Sequence, residues 1–372
     1  MKSTILAFID RQREAAPNPI GRYRYSPVCH HTTLYSSCYA AMSRHLLGDT
    51  NTLMPEERAE WIAYLQAHQD DDGLFRDEVI FNQSMYENDP LWCGRSHLTC
   101  HVIAALACLG GAAEKPLRWL RPWLNPDGLI RWLEERDWGE RVGWTGNEIM
   151  NVGTLLQYAR DFQNDGSAEK AVNILLDWLS GNRINPETGV WGDVDVGDPL
   201  WRSHAVQAAY HWWPLFFYDG RPIPHLERAI DTLMATQNPN GGFGWGVHNP
   251  NNRFMSSACE DIDSIDPLCR MMQLTDYRRT DIQAALTKAV GWVLTNQMPD
   301  GGFVFMRDRP FIYGHSQLRG EANQGAMFPT WFRLLSLALM DRVLTDRANE
   351  HWQFVRCPGM QFWGHPGHGK ES

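Results

Sequence analysis

The sequence has no long apolar run and no excess of basic residues. No stretch of 18 uncharged apolar residues occurs in its 372 positions, which argues against a membrane-spanning helix. Its 34 basic residues are outnumbered by 44 acidic ones, and the resulting net charge of -10 argues against a nucleic-acid partner. The first residues lack the apolar core and small-residue cleavage site of a signal peptide and are typical of a helix.

Several chemical signatures are also missing. The eight cysteines include no C-x-x-C pair, and a chain of this length needs no disulfides, so we expect reduced thiols and a cytoplasmic protein. A nucleophile elbow, a phosphate loop and a dinucleotide fingerprint are absent, and no cofactor is predicted. Strand-like alternation is nearly absent as well. Tryptophan, in contrast, is abundant, with 17 copies to be explained.

A turn-like signal recurs six times along the chain. It is built from Pro, Asn, Asp and Gly, usually with an aromatic residue after it, and its glycines are Gly73, Gly128, Gly189, Gly241, Gly301 and Gly359. Successive glycines are 55, 61, 52, 60 and 58 residues apart. A period of this length indicates stacked supersecondary units rather than separate domains.

Each repeat contains two helical patterns. Strongly apolar segments, typical of buried helices, cover roughly 31–47, 96–110, 147–162, 202–218, 256–274 and 321–342. More highly charged amphipathic segments cover roughly 55–69, 115–124, 168–180, 223–237, 277–297 and 344–356. Six hairpins of this kind predict an all-α fold, a closed (α/α)6 toroid, with an open solenoid as the alternative. We expect one domain over 1–372, with about 20 N-terminal and 10 C-terminal residues peripheral.

Two of the turns carry a family resemblance. Residues 237–245, QNPNGGFGW, and 297–303, QMPDGGF, resemble the Gln…Gly-Gly-aromatic repeats of the terpenoid cyclase and protein prenyltransferase superfamily, and 69–75, QDDDGLF, is a looser copy. The resemblance implies an α/α toroid around a central cavity. In that family these repeats are structural braces, so they imply no catalytic role.

Polar residues gather near the start of each apolar segment, where burial of charge is costly. If the inner helices run in the same direction, these starts meet at one end of the cavity. The predicted substrate-binding residues are His31, Tyr35, Trp92, Arg95, His97, His101, Asn147, Trp201, Arg202, His211, Trp212 and Arg319. His97 and His101 share a helix face at a spacing seen in metal sites, but no third ligand is fixed by the sequence and no metal is predicted.

The segment 259–267, CEDIDSIDP, contains four carboxylates within seven residues. Crowding and burial raise the pKa of at least one of Glu260, Asp261, Asp263 and Asp266, which would let it act as a proton donor. Residues 261–264 resemble the Asp-x-Asp-Asp acid motif of proton-initiated terpenoid cyclases, with Ser264 where many members have a further Asp. The resemblance implies that Asp263 is the proton donor and Asp261 its partner; Glu260 is a further catalytic candidate.

Three functions remain open from the sequence. The first is an acid-initiated isoprenoid cyclase or prenyl-processing enzyme, in which tryptophans stabilise carbocations. The second is a glycan-active lyase or hydrolase, with Asp263 and Glu321 as acid and base, or with His204 as a base beside Arg202. The third is a non-catalytic helical scaffold. The expected partner is a small-molecule or oligosaccharide substrate, and the sequence does not define an oligomeric state.

Overall fold

The computed structural model describes residues 1–15, 20–81, 94–249, 251–252, 254–344 and 352–364. The regular secondary structure in these parts of the chain is almost all helical, as predicted, with one two-stranded antiparallel hairpin. None of the helices in the described parts is both long and apolar enough to cross a bilayer.

Six helices form an inner ring. They are α2 (Leu34–Leu46), α5 (Arg95–Leu109), α7 (Val142–Phe162), α9 (Pro199–Asp219), α11 (Ala258–Met271) and α13 (Met327–Val343). Each packs against the next, and α13 returns to pack against α2, so the ring is closed. The predicted toroid is therefore confirmed over the open solenoid. The apolar segments predicted as inner helices match these bounds to within a few residues because burial on most sides leaves little room for polar positions.

The remaining helices lie mainly outside this ring. They are α1 (Lys2–Gln12), α3 (Pro55–Gln66), α4 (Glu78–Phe81), α6 (Pro126–Glu134), α8 (Gly166–Gly181), α10 (Leu226–Met234) and α12 (Arg279–Thr295). Two short 3₁₀ helices occur in the described parts of the chain, Asp49–Thr52 between α2 and α3 and Arg118–Leu124 between α5 and α6. The strands β1 (Phe311–Ile312) and β2 (Arg319–Gly320) form a small hairpin before α13.

The repeated glutamine turns hold each hairpin to the next. Gln237 Nε2 donates to the Gly241 carbonyl across its own turn, at 3.2 Å, and to the Ala285 carbonyl of α12, at 2.8 Å. Gln69 bridges in the same way to the Gly73 and Lys115 carbonyls. The turns are thus packed against their neighbours, as the resemblance implied.

One predicted outer helix was wrong, and another is contradicted only at the ends that the structure describes. In the second repeat the NPDG signal does not close a turn, because Asn125 caps the helix that follows, and 115–124 contains only a 3₁₀ helix. In the sixth repeat, 352–355 is not helical and 345–351 lies outside the described residues. There α1 supplies the outer layer, with Phe8 buried beside the turn at Gly302. We expected the N-terminal residues to be peripheral, but Ile5, Phe8 and Ile9 of α1 are buried.

The C-terminal segment 352–364 crosses one end of the ring. Gln361 accepts a 2.7 Å hydrogen bond from the Trp331 ring and donates to the Met42 carbonyl. Arg270 of α11 donates to the Phe362 carbonyl at 2.8 Å and lies 4.2 Å from the centre of that ring. We call residues 352–364 the floor segment, because they cover this end of the ring.

Candidate active site

A cavity of about 380 Å³ lies inside the ring. Five histidines face it: His97, His101, His204, His211 and His248. Aromatic side chains form much of the remaining wall, namely Trp144, Tyr210, Phe305, Phe311, Tyr313, Phe328 and Phe332. Met360 of the floor segment also lines the cavity. Since α5 and α11 are three positions apart in the six-membered ring, their side chains face each other across this space.

The start of α11 fixes three acidic residues in three different environments. Ser257 caps the helix, and its Oγ accepts a hydrogen bond from the Glu260 amide at 3.1 Å. In return, Glu260 accepts from the Ser257 amide at 3.0 Å and from the Val247 amide at 2.8 Å. This capping box occupies both oxygens of Glu260, which does not line the cavity. The predicted catalytic residue Glu260 therefore has a structural position.

Asp261 is also fully occupied. It accepts hydrogen bonds from the Phe243 amide at 2.9 Å, the Trp292 ring at 2.9 Å and Arg333 at 2.8 Å. Burial raises the pKa of Asp261, and these donors, led by the Arg333 charge, counteract that rise.

In two other repeats a threonine takes the place of Asp261 and accepts the hydrogen bond from the amide of the phenylalanine in the turn. The Phe75 amide donates to Thr99 Oγ1 at 2.9 Å, and the Phe303 amide to Thr330 Oγ1 at 3.0 Å. Asp261 thus occupies a brace position that tolerates a neutral hydroxyl elsewhere in the fold.

Asp263 differs from both neighbours. Its side chain lines the cavity, the residue is only 3% exposed, and Oδ2 has no hydrogen-bond partner among the described residues. Burial raises the pKa of Asp263 well above its ordinary value, and the nearby carboxylates of Glu260 and Asp261 raise it further. A raised pKa is what a carboxyl group needs in order to act as a general acid and donate its proton into the cavity.

The histidine opposite Asp263 is held on both nitrogens. His97 Nδ1 lies 2.8 Å from Tyr35 Oη, and Nε2 lies 3.4 Å from Tyr313 Oη. His101 is oriented by its own helix, with Nδ1 2.9 Å from the His97 carbonyl oxygen. Burial lowers the pKa of His97 well below its ordinary value and that of His101 to about 4, so both rings are neutral at pH 7.

The wall formed by α7 and α9 is polar. Asn147 of α7 is 7% exposed, and its Oδ1 has no partner within the described structure. His204, Gln207 and His211 lie on α9, and His211 Nδ1 is 2.6 Å from the Gln207 carbonyl oxygen. Burial lowers the pKa of His211 to about 4, and burial also lowers the pKa of His204, so these side chains present neutral amides and imidazoles at pH 7.

The structure thus brings six of the predicted residues to one cavity: Asp263, His97, His101, Asn147, His204 and His211. Tyr35 lies behind them, one hydrogen bond away. Among the described residues, no group of three His, Cys, Asp or Glu side chains is arranged to hold a metal ion.

Other predicted residues lie outside the cavity lining, and two tryptophans of α9 pack on other aromatic rings instead. Trp212 is fully buried and packs on the Trp138 and Trp191 rings, with centroids 5.3 Å away in both cases. Trp201 stacks on His204 with ring centroids 5.4 Å apart, and it touches the site only through that ring. Trp92 lies outside the described residues.

The predicted arginines are used in local contacts. Arg95 pairs with Asp72 at 2.7 Å and Asp70 at 2.8 Å. Arg202 donates to the Val196 carbonyl at 3.0 Å. These contacts brace loops at the outer surface rather than the cavity.

The hairpin before α13 accounts for the remaining predictions. Arg319 lies 3.4 Å from Glu321, and both side chains are about half exposed. The His31 amide donates to Gln317 Oε1 at 3.0 Å. Glu321 does not line the cavity with Asp263, so the two carboxylates are not brought together as an acid and base pair.

Sequence reasoning missed the wall supplied by loops. Phe305, Phe311 and Tyr313 come from the connection between the glutamine turn at 297–303 and α13. His248 comes from the connection before α11. These connections lie between the repeated elements and follow no period. Their unusual length, 304–326 in the first case, was the available signal.

Comparison with known proteins supports the fold. No family model matches the sequence, and no curated protein matches it significantly. The structure is similar to a variant of the type II terpene cyclase MstE from Scytonema in complex with geranylgeranyl dihydroxybenzoate, at 15% identity and a TM-score of 0.51, covering 92% of this chain and 97% of that one. It is also similar to a polysaccharide lyase, at 12% identity and a TM-score of 0.52, covering 93% and 98%. The chain therefore shares the α/α-toroid fold with enzymes of both kinds.

Proposed function

We propose that this protein is an acid-initiated isoprenoid cyclase in which Asp263 is the proton donor. The single observation that carries the proposal is the buried Asp263 carboxyl, with one oxygen unpartnered by the described residues, on the wall of an aromatic-lined cavity. Glu260 and Asp261, by contrast, are saturated by structural hydrogen bonds.

The reaction needs few groups. Asp263 transfers its proton to one carbon of a terminal alkene, whose π electrons form the new C–H bond and leave a tertiary cation. A neighbouring double bond attacks that cation and closes a ring. Loss of a proton from the final cation gives a product that is an isomer of the substrate. The faces of Phe305, Phe328 and Phe332 stabilise the positive charge as it moves.

The test is turnover of prenyl compounds. Purified protein is incubated with geranylgeraniol, geranylgeranyl diphosphate, geranylgeranyl dihydroxybenzoate and squalene, and the products are separated from these isomeric substrates by chromatography and identified by mass spectrometry. We expect a cyclic isomer from at least one of them. Asp263→Asn should reduce the rate by about 10³-fold, the usual contribution of a general acid, while retaining the helical circular dichroism spectrum. Full turnover by folded Asp263→Asn protein would refute the proposed acid.

A glycan-active enzyme is the second candidate. Five neutral histidines in one cavity suit a polar substrate, and His204 could abstract a proton in a lyase reaction. Oligosaccharides, including uronates, are therefore assayed beside the prenyl compounds. Release of unsaturated or reducing ends, lost in His204→Ala but kept in Asp263→Asn, would favour the lyase. The reverse pattern with a prenyl substrate favours the cyclase.

A further inference from the structure

The cavity has two chemically different walls. Asn147, His204 and Gln207 lie on α7 and α9, beside the rings of Trp144 and Tyr210, whereas α13 contributes the wholly apolar rings of Phe328 and Phe332. Because α7 and α13 are three positions apart in the closed ring, the amides face the aromatic side chains across the cavity. Asp263 on α11 lies between α9 and α13. A bound molecule is therefore offered a polar side and an apolar side, with the acid beside both.

The wall formed by α7 and α9 contains a hydrogen-bond acceptor, the side-chain oxygen of Asn147, that receives no hydrogen bond from the described residues. Asn147 Oδ1 is buried and has no partner among the described residues, and leaving such an oxygen unpaired is unfavourable because it has lost its hydrogen bonds to water. Gly143, one turn earlier on α7, keeps this region open: a methyl group there would lie 2.6 Å from Gln207 Oε1. A ligand that donates a hydrogen bond would satisfy Asn147, and a ligand with only acceptor atoms would not.

The same wall is poorly suited to a diphosphate. The described residues that line the cavity include no lysine or arginine. Arg141 does not line the cavity, and its guanidinium group lies 5.6 Å from the centre of the Trp144 ring. Its neighbour Glu140 does line the cavity, and a carboxylate there would repel an anion. Phosphate recognition normally uses arginine, lysine or a metal ion.

We propose that the substrate is a prenyl compound with an uncharged hydroxyl headgroup, which donates a hydrogen bond to Asn147 on the α7–α9 wall. This inference rests on the proposed function. It orients the substrate, since the hydroxyl is bound at Asn147 while the prenyl chain lies along the aromatic wall and presents an alkene to Asp263.

The first arm of the test changes only the ligand. Binding to the Asp263→Asn protein, which does not consume its ligand, is followed by tryptophan fluorescence or calorimetry. The probes share one prenyl chain: geranylgeraniol, its methyl ether and geranylgeranyl diphosphate. The methyl ether keeps the oxygen but cannot donate. We expect geranylgeraniol to bind about five- to tenfold more tightly than the ether, the value of one hydrogen bond, and the diphosphate to bind more weakly than the alcohol.

The second arm changes the protein. Asn147→Leu, made in the same Asp263→Asn background, should remove the preference for alcohol over ether, and Asn147→Asp, which keeps acceptor oxygens, should preserve it. Phe332→Leu is the matched control on the opposite wall. It should weaken the alcohol and the ether by the same factor and leave their ratio unchanged.

The outcomes separate the two proposals. Equal affinities for alcohol and ether, or a diphosphate that binds most tightly, would overturn the headgroup inference while leaving the cyclase proposal intact. If none of the prenyl probes binds, the proposed function fails, and the headgroup inference fails with it.

Discussion

Arg333 and Asp261 form an ion pair inside the protein, with Arg333 Nη1 donating to Asp261 Oδ2 at 2.8 Å and side-chain exposures of 1% and 0%. Two residues further along α11, Asp263 has no such counter-charge among the described residues. One helix turn therefore holds Asp261 as a structural brace and places Asp263 where burial and the neighbouring carboxylates raise its pKa. This difference is what makes Asp263 a candidate acid.

The Arg333–Asp261 pair should be essential for stability. Arg333→Met leaves the Asp261 charge buried without compensation, which typically costs about 3–5 kcal/mol of unfolding free energy. Urea denaturation measures the loss. The matched control is Arg183→Met, which breaks an exposed pair with Asp193 and should cost less than about 1 kcal/mol. Similar losses in the two variants would contradict the structural role.

Asp263→Asn should stabilise the fold at neutral pH. Because the pKa of Asp263 is raised in the folded protein, the folded state keeps a proton that the unfolded chain releases above about pH 3.9. Wild-type stability therefore falls by about 1.4 kcal/mol per pH unit from there up to the folded pKa, and asparagine removes this loss.

Urea unfolding of wild type and Asp263→Asn across this range checks the sign. Acids that do not interact with Asp263 titrate alike in both proteins, so their contribution cancels in the difference. The advantage of asparagine should be small near pH 3.5 and grow as the pH rises. A difference that does not change with pH would show that Asp263 is ionised like an exposed aspartate.

Gly301, in the glutamine turn at 297–303, should not tolerate a side chain. Gly301 has a φ of +90°, and a methyl group there would lie 2.3 Å from the Thr4 carbonyl oxygen of α1. Gly301→Ala should lose at least about 1–3 kcal/mol through strain and displaced packing. Gly291→Ala, within α12 and with open space around it, should instead gain up to about 1 kcal/mol. Thermal unfolding compares the two variants. Equal shifts in melting temperature would contradict the close packing of Gly301 against α1.

Arg270 should hold the floor segment in place. It pairs with buried Asp266 and donates to the Phe362 carbonyl at 2.8 Å. In Arg270→Leu we expect faster limited proteolysis within 352–364 and a loss of about 3–5 kcal/mol, because the Asp266 charge is left unpaired. Arg342→Leu, an exposed residue that contacts the same segment through Phe354, serves as the control. Unchanged protection in the Arg270 variant would argue against this role.

The fold was largely predictable because its signal is repeated. The inner helices are apolar on most sides, and the spacing of the six glycine-containing turns indicated how many hairpins there are. The sixth outer helix was missed because closing a ring lets α1 supply it, although Lys2–Gln12 is far from α13 in the sequence. Repetition within a chain does not reveal which end completes the circle.

The site was less predictable. The carboxylate pattern identified Asp263, but the reason that Asp261 is not equivalent to it is an arginine 72 residues away, and local sequence does not report such contacts. Trp212 was expected at the cavity because of its residue type, yet its helix face points toward Trp138 and Trp191. The aromatic wall at Phe305 and Phe311 comes from a connection without any period.

The central claim is that a proton from Asp263 starts the reaction, and its direct test is turnover in deuterium oxide. The Asp263 carboxyl exchanges with solvent between turnovers, so each cyclisation transfers a solvent-derived hydron to the substrate. The account predicts that the cyclic product carries one deuterium, bonded to the carbon of the protonated alkene. A cyclic product formed in deuterium oxide with no deuterium at that carbon would contradict it.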